Sequence, residues 1–229
     1  WSDAISALSR PLETHGVDVQ LGSEANEGAI ASLAPDVGVV ATGSTWSGSG
    51  FSACRADRES RPGAERGPVI DVGAAAERVL AAPSSRGERV LIDDESTLFL
   101  PLGVAEVLAE NGVEVEMVSP HFFVGADALK TMDLFHIYPR LKQHGVELSS
   151  QHFVEKIEGN DVHLYHLWGG EPTVKSFDTV VLSQMRDPNE ALYDELKERH
   201  PDVRRVGDAL TPRPLVAVIH EGEVVARAV

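Results

Sequence analysis

The clearest hydrophobic pattern in the chain lies between residues 89 and 120. An apolar run at 89–92 predicts a buried strand, and residues 101–110 predict a helix that ends at Asn111-Gly112. A second apolar strand is predicted at 113–120, which completes a βαβ pattern of about 30 residues. This region therefore predicts parallel strands joined by a crossover helix, the unit from which nucleotide-binding α/β domains are built.

The remaining periodicity divides the chain into further helices, strands and loops. Ile5, Leu8 and Leu12 have helical spacing, although Pro11 is expected to kink or end that helix. Residues 44–68 are rich in Ser, Gly, Arg and Pro without a period, which predicts a long surface loop. The other predictions are strands at 16–22 and 34–44, a strand and helix over 69–82, a helix over 132–145, an antiparallel meander over 146–184, a polar helix over 188–200, and a closing strand, Gly-Asp turn and helix over 203–229.

The order of these elements predicts two nested lobes. Residues 1–85 and 186–229 are expected to form one lobe, and residues 86–185 are expected to form a second lobe inserted into it. Both lobes combine strands with helices, so the predicted fold class is α/β, with two nested Rossmann-like lobes.

The turn after the strand at 89–92 is unusual for a nucleotide-binding unit. Such units place G-x-G-x-x-G there, because glycines let the backbone N–H groups approach a pyrophosphate closely. This chain instead has Asp93-Asp94-Glu95 and no glycine over 93–100. Each carboxylate would repel a phosphate charge about 5 Å away by on the order of 1 kcal/mol or more. We therefore expect the inserted lobe to bind no NAD(P)H, and we expect Glu95 and its neighbours to favour the helix N-terminus in place of that anion.

The lobe predicted from residues 1–85 and 186–229 has sequence motifs that are more typical of nucleotide binding than those of the inserted lobe. Residues 39–44, with the sequence VVATGS, end a predicted strand with small residues that would let the chain pass close to a bound nucleotide. Residues 203–210, with the sequence VRRVGDAL, place a Gly-Asp turn after a strand, where N–H donors and one carboxylate could meet a phosphate or ribitol. Each motif alone is weak evidence for a nucleotide site, but the two motifs in this order along the chain are stronger evidence.

Composition narrows the function classes. The chain has 36 acidic and 20 basic residues, a formal net charge of −16, which disfavours a general nucleic-acid binder. No apolar run is long enough to span a membrane and no signal peptide is visible, so we expect a cytoplasmic protein without membrane contact. The single cysteine, Cys54, excludes an internal disulfide and a four-thiolate iron–sulfur cluster held by this chain alone.

No catalytic or metal-binding group is predicted. His163 and His166 are three residues apart in a predicted strand, and this spacing directs their side chains to opposite faces. No nucleophile can be paired with a base, and there is no P-loop. The chain alone is therefore expected to be non-catalytic.

The sequence resembles the C-terminal region of the trimethylamine dehydrogenase, histamine dehydrogenase and dimethylglycine demethylase group, which is related to old yellow enzyme and the 2,4-dienoyl-CoA reductases. The resemblance spans nearly the whole chain, and the acidic turn followed by PLGVAE is among its most specific parts. It is carried in order by PDVGVVATGSTW (35–46), VLIDDESTLFLPLGVAEVLAENGVEVEMVSP (90–120), YPRLKQHGVEL (138–148), VHLYHLWGG (162–170) and VGDALTPRPLVAVIHEGEVVAR (206–227).

The resemblance implies a glutathione-reductase-type pair of nucleotide lobes, following an N-terminal β/α barrel that carries FMN and a 4Fe–4S cluster. In the amine dehydrogenases of this group the first lobe holds ADP where relatives hold FAD, and the second lobe holds nothing. Carried over by position, Thr42, Gly43, Gly207 and Asp208 would line the nucleotide pocket, with Arg213, just inside the closing helix, as a further contact. The barrel and the first βαβ unit are absent from the sequence, so the first lobe is expected to be incomplete at its N-terminus.

The implied partners are the barrel, an electron-transferring flavoprotein and a second subunit of a homodimer. The parent reaction would be oxidative N-demethylation or deamination of a small amine. Two alternatives remain open: a non-catalytic subunit or docking module, and a region of an NADPH-dependent 2,4-dienoyl-CoA or enoate reductase. The reductase branch often has a second Ala-Thr-Gly where this chain has Ser183-Gln184-Met185, which disfavours the last alternative.

Overall fold

The computed structural model describes residues 2–81, 88–200 and 202–229, which form two compact units. Unit 1 contains the chain up to Thr42, Glu190–Leu210 and Pro214–Val229, and unit 2 contains Gly43–Asn189 with Thr211–Arg213. Within the described residues, no helix is both long and apolar enough to cross a lipid bilayer.

The described residues form the following elements. The helices are α1 (Ser2–Thr14), α2 (Glu27–Leu33), α3 (Val72–Ala81), α4 (Phe99–Glu110), α5 (Leu134–Gln143), α6 (Ala191–Leu196) and α7 (Leu215–Ala226). The strands are β1 (Gly38–Val40), β2 (Ser44–Trp46), β3 (Val69–Asp71), β4 (Arg89–Asp94), β5 (Glu114–Ser119), β6 (Glu147–Ser150), β7 (His152–Glu158), β8 (Asp161–His166), β9 (Thr173–Ser176), β10 (Thr179–Ser183), β11 (Arg186–Pro188) and β12 (Val203–Arg205). Short 3₁₀ turns lie at Ala53–Arg55, Ala126–Leu129 and Gly207–Ala209.

Unit 1 is built around two parallel strands. β1 pairs with β12, and Val40 lies opposite Arg205 in the register. Helix α6 packs against β12, and α7 packs against the 3₁₀ turn that follows it. The strand predicted at 16–22 is wrong: this segment has no regular secondary structure, and its valines are exposed. Alternating valines alone do not make a strand, because a strand also needs a hydrogen-bonding partner.

Unit 2 contains a five-stranded parallel sheet in the order β3-β10-β4-β5-β6. Val90 and Ile92 of β4 pack with the side chains of α3, α4 and α5, whereas Leu91 packs on the opposite face with residues of β7 and β8. Both faces of the sheet are therefore covered, which explains why β4 and β5 are almost continuously apolar. Strands β7, β8 and β9 form a separate antiparallel sheet, and β2 pairs antiparallel with β11.

The structure confirms the βαβ pattern of 89–120 and corrects three other predictions. The predicted meander over 146–184 is antiparallel only in β7–β9, because β6 joins the parallel sheet at one edge and β10 lies inside that sheet, between β3 and β4. The predicted surface loop at 44–68 contains β2 and several buried residues, including Arg61. The predicted lobe boundary near residue 85 also differs from the observed division, since β3 pairs with β10 and residues from Gly43 onward belong to unit 2.

Candidate functional site

The carboxyl edge of the unit 2 sheet contains the topological switch point of this fold. From β4 the chain passes through α4 to β5 on one side, while β10 lies beside β4 on the other side. In open α/β sheets, ligands bind in the crevice outside the carboxyl ends of two such strands. In this chain that position follows Asp94 of β4 and Ser183 of β10, so the acidic turn lies at the place where a dinucleotide would be expected.

The guanidinium of Arg61 fills this position. Arg61 Nη1 donates to Asp93 Oδ2, and Nη2 donates to Glu95 Oε1 at 3.0 Å. Gln184 Nε2 donates to the same Asp93 oxygen at 2.7 Å, and the backbone N–H of Ala53 donates to Glu95 Oε2 at 3.3 Å. Arg61 and Asp93 are both essentially inaccessible to solvent. The crevice is thus occupied by a buried ion-pair network from the chain itself.

The third carboxylate shapes the turn. Asp94 accepts hydrogen bonds from the backbone N–H groups of Gly125, at 2.7 Å, and Thr97, at 2.9 Å. Thr97 has a φ of +61°, a left-handed conformation that is rare for a β-branched residue. Its hydroxyl and carbonyl groups also bond to Asp127, at 3.1 and 3.0 Å. Asp94 and Asp127 together therefore stabilise a strained backbone at the end of β4.

Burial changes the acidity of these groups. Burial, with Asp93 nearby, raises the pKa of Glu95 to about 7, although Arg61 opposes this change. Burial likewise raises the pKa of Asp94 to about 6, against the hydrogen bonds from Gly125 and Thr97. The pKa of the neighbouring Cys54 thiol is also raised, first by burial and then by the charge of Glu95. Burial thus disfavours the ionised forms of Asp94, Glu95 and Cys54 at this edge of the sheet.

Glu95 does not bind the N-terminus of α4, contrary to the expectation for this turn. Leu98 is the N-cap of α4, and its side chain makes no capping hydrogen bond. The neighbours of Glu95 do bind the backbone there: Ser96 Oγ accepts from the N–H of Leu98 at 3.3 Å, and Asp94 accepts from the N–H of Thr97. The carboxylate of Glu95 binds Arg61 and the N–H of Ala53 instead. Arg61 and Gln184 were not among the site residues predicted from the sequence. Residues 44–68 hold four arginines in a strongly acidic chain, and this local concentration of basic residues is a signal that points to Arg61.

In unit 1, the predicted nucleotide residues lie at the carboxyl edge of the β1–β12 pair. Thr42 follows β1, Gly207 and Asp208 follow β12, and the N–H of Val206 donates to the carbonyl of Val40 at 3.0 Å. Gly207 has a φ of +65°, and an added Cβ would lie 3.0 Å from Val218. Its N–H donates to the carboxylate of Glu221 in α7 at 2.5 Å. Glu221, which the sequence analysis did not single out, therefore takes up a donor predicted to face a phosphate.

A cavity of about 430 Å³ lies beside β1 in the same unit. Its volume falls within the range of small-molecule sites. Thr42 lines it together with apolar residues of α2 and α6, and so does His200, whose Nε2 is buried without a hydrogen-bond partner among the described residues. Gly207 and Asp208 are not among the residues that line this cavity. The Gly207–Glu221 bond must open before a phosphate could use the N–H of Gly207.

The two remaining predicted residues belong to unit 2. Gly43 has a φ of +77° and accepts a hydrogen bond from the N–H of Asn189 at 3.0 Å. Arg213 precedes α7 rather than lying inside it, and its Nε donates to the carbonyl of Thr211 at 3.2 Å. The Gly-Asp turn likewise does not open the closing helix, because Gly207 and Asp208 belong to the 3₁₀ turn Gly207–Ala209 and residues 210–214 separate that turn from α7. Over the described part of the chain, no three His, Cys, Asp or Glu side chains are grouped in a way that could hold a metal ion.

These features define an α/β fold with parallel sheets, a fold that is also found in flavoprotein nucleotide domains. Residues 74–195, more than half of the chain, match the family described as the OYE-like second alpha/beta domain. The chain belongs to this family. It is similar to the C-terminal region of the trimethylamine and histamine dehydrogenase group of flavin-dependent oxidoreductases, as the sequence resemblance predicted.

Individual relatives agree with this placement. The N,N-dimethylglycine/sarcosine dehydrogenase of Chromohalobacter salexigens is 28% identical over 96% of this chain, which spans 32% of that protein. The 6-hydroxypseudooxynicotine amine oxidase of Pseudomonas geniculata superimposes with a TM-score of 0.80 at 22% identity, over 90% of this chain and 31% of that one. The thioredoxin reductase of T. acidophilum shares the fold with a TM-score of 0.53 at 14% identity, over 80% of this chain and 61% of that one. The chain thus spans about a third of the length of its amine-oxidising relatives.

Proposed function

We propose that this chain is the nucleotide-binding, structural region of an amine dehydrogenase or N-demethylase of the cytoplasm. Unit 1 holds ADP or FAD and is not catalytic. Substrate oxidation takes place at FMN in a β/α barrel outside this sequence, and electrons pass through a 4Fe–4S cluster there to an electron-transferring flavoprotein. The functional enzyme is a homodimer.

The similarity to amine-oxidising flavoproteins over nearly the whole chain carries this proposal. A catalytic role for the chain itself has no support, because its one cysteine cannot hold a cluster and no nucleophile–base pair is visible. Thr42, Gly207 and Asp208, at one edge of unit 1, are the residues we assign to the nucleotide.

Unit 2 takes no dinucleotide in this proposal. Arg61, Asp93 and Glu95 occupy the switch-point crevice, and a pyrophosphate would have to displace a guanidinium from two carboxylates. The displaced carboxylates would then remain buried beside the phosphate charges, which is strongly unfavourable. The buried ion pairs of Arg61 also disfavour the NADPH-dependent enoate reductase, in which unit 2 would hold the hydride donor.

The test is to release bound small molecules from the purified protein with acid and separate them by chromatography. We expect about one adenine nucleotide, ADP or FAD, per chain. An extract without adenine nucleotide would overturn the assignment of unit 1. A parallel titration with NADPH should leave amide exchange in unit 2 unchanged, and NADPH-induced protection there would favour the reductase.

The second candidate is a non-catalytic subunit or docking module, and exposed apolar residues in unit 1 favour it. Ile5 and Leu8 of α1 are 65% and 67% exposed, and Val216 of α7 is 76% exposed. Among the described residues β1 pairs only with β12, so its other edge offers unpaired backbone groups. In this reading another chain covers unit 1. A stable monomer of the isolated chain in gel filtration would exclude the docking module.

A further inference from the structure

The cavity beside β1 in unit 1 has apolar walls. Val39 of β1, Ile30 and Leu33 of α2, and Leu192 and Leu196 of α6 line it. Val39 is 49% exposed and Leu33 is 71% exposed, so these two apolar side chains remain open to a ligand. Walls of this kind favour an alkyl or aryl group, because its burial removes apolar surface of both partners from water.

One end of the cavity is polar. Asp36 and His200 line it at the amino end of the β1–β12 pair, where the N–H of Gly38 donates to the carbonyl of Asp202 at 3.0 Å. Asp36 is exposed, whereas Nε2 of His200 is buried and has no hydrogen-bond partner among the described residues. Buried polar atoms in folded proteins are nearly always hydrogen-bonded. The unpaired nitrogen therefore favours a ligand that brings a hydrogen-bonding group to this end.

The charges around this end of the cavity are mainly negative. Asp202, whose carboxylate pairs with Arg204, also lines the cavity. Helices α2 and α6 and the turn after α6 carry four further acidic residues against two basic ones, namely Glu27, Asp194, Glu195, Glu198, Lys197 and Arg199. This excess attracts a cation and repels a carboxylate, a phosphate or a second copy of this chain, whose net charge is −16.

The cavity is distinct from the Gly-Asp turn that we assign to a nucleotide. The N–H of Gly207 donates to Glu221 of α7, and an added Cβ at Gly207 would meet Val218 of the same helix. Thr42 lines the cavity, but it follows the carboxyl end of β1, about 13 Å along the strand from Gly38. A ligand held at the amino end of β1 therefore does not depend on the proposed function.

We propose that this cavity binds a small organic cation, with its ammonium group beside Asp36 and His200 and its alkyl or aryl body against the walls formed by α2, α6 and β1. The Asp36 carboxylate accepts a charge-assisted hydrogen bond from the ammonium. Nε2 of a neutral His200 ring accepts a second one when the ring proton is on Nδ1, after a rotation that brings the buried nitrogen to the ligand. The apolar walls provide most of the affinity, and the negative charge selects a cation.

Calorimetric titration of the full chain at neutral pH with three ligands that share one alkyl body tests this proposal. The probes are octylammonium, octanol and octanoate. Octylammonium should bind with a Kd below about 1 mM and about fivefold more tightly than octanol, and octanoate should bind least tightly. Raising the ionic strength from about 0.05 M to about 0.5 M should reduce the preference for the cation, because salt screens exposed charges.

Two variants and one control locate the site. Asp36→Asn should weaken octylammonium binding about threefold and leave octanol binding unchanged, because it removes the charge and keeps the shape. Asp18→Asn, at an exposed carboxylate of unit 1 that does not line the cavity, should change neither affinity. Ala25→Trp places a large side chain at an exposed lining position and should reduce the binding of all three ligands.

The wild-type comparison decides the matter even if Ala25→Trp folds poorly. Octanol or octanoate binding as tightly as octylammonium would overturn the proposal, and so would the absence of binding at millimolar ligand. An unchanged octylammonium affinity in Asp36→Asn would also overturn it, because the cation would then lie elsewhere. Competitive displacement of octylammonium by ADP would assign the cavity to the adenine nucleotide and overturn the proposal, whereas an unchanged affinity in saturating ADP supports a separate site.

Discussion

The carboxylate of Glu221 accepts a hydrogen bond from the backbone N–H of Gly207 in unit 1. This carboxylate accepts the hydrogen bond that a phosphate oxygen would accept at the start of a Gly-Asp turn. The contact links the middle of α7 to the turn after β12. In the proposed nucleotide site, Glu221 therefore competes with the ligand for one donor.

This competition predicts that removing the Glu221 carboxylate strengthens nucleotide binding. Glu221→Ala should tighten ADP binding about tenfold, because the N–H becomes free and one negative charge leaves the site. Glu221→Gln should have a smaller effect, since its amide oxygen can still accept the hydrogen bond. Isothermal titration of ADP into nucleotide-free protein measures both affinities.

Glu223→Ala is the matched control for this experiment. Glu223 lies on the same helix, pairs with Arg227 and is more than half exposed. It should leave the ADP affinity unchanged. Weaker binding in Glu221→Ala would contradict the competition and would indicate that Glu221 helps to hold the turn in its binding conformation.

The sequence predicted the β4–α4–β5 unit of the unit 2 sheet well, because its signals are local, but it did not predict that β3, β6 and β10 join the same parallel sheet. The strand predicted at 89–92 and the helix predicted at 101–110 agree with β4 and α4 within two residues at each end. Strands and helices that are buried on both faces are apolar at almost every position, so a short stretch of sequence is enough to detect them.

The candidate site could not be predicted in the same way. Arg61 and Asp93 are 32 residues apart, and Gln184 and Asp93 are 91 residues apart. No local period encodes such pairs, because they form only when β4, β10 and the segment that ends at Arg61 come together. The negative charge of the 93–95 turn is evident from the sequence, but its partner Arg61 is not. The carboxylates were therefore expected to repel a ligand and not to bind a guanidinium.

A second prediction concerns the stability of the buried ion-pair network. Arg61→Ala should destabilise unit 2 by about 3–5 kcal/mol, because it leaves Asp93 and Glu95 buried without their cation. Arg66→Ala removes an exposed arginine from the same segment and should cost less than about 0.5 kcal/mol. Urea unfolding followed by circular dichroism gives both values. A loss for Arg61→Ala as small as that for Arg66→Ala would mean that the network contributes no net stability.

A third prediction tests the close packing of the chain just after Arg61. Gly63 has a φ of +88°, and an added Cβ would lie 1.8 Å from the carbonyl oxygen of Ile157. Gly63→Ala should therefore destabilise unit 2 by about 3–5 kcal/mol, since β7 or the chain must move. Gly145 has a similar φ of +80° but open space around it, so Gly145→Ala should cost only about 1–2 kcal/mol. Thermal unfolding of the two variants separates the steric cost from the conformational cost, and equal midpoints would contradict the close approach.

The last prediction concerns the pH dependence of stability. Because of the acidic groups at the switch point, the free energy of unfolding of unit 2 should fall as the pH rises. Most carboxylates in folded proteins have lowered pKa values and add stability as the pH rises. Here the pKa of Asp94 is raised from 3.8 to about 6 and that of Glu95 from 4.5 to about 7, in both cases chiefly by burial. Folding therefore takes up protons, and the contribution of each group is fully present below its ordinary pKa and is lost as the pH rises through its raised pKa.

We therefore expect the free energy of unfolding of unit 2 to fall from pH 5 to pH 8 and then to level off. Urea midpoints at half-unit pH intervals measure this change. Glu95→Gln should flatten the slope between pH 6 and pH 8 because it removes the group that titrates there, whereas Glu65→Gln, at an exposed carboxylate, should leave the slope unchanged. A wild-type midpoint that rises from pH 6 to pH 8 would show that the Arg61 guanidinium outweighs burial at Glu95, and that this acid is ionised throughout that range.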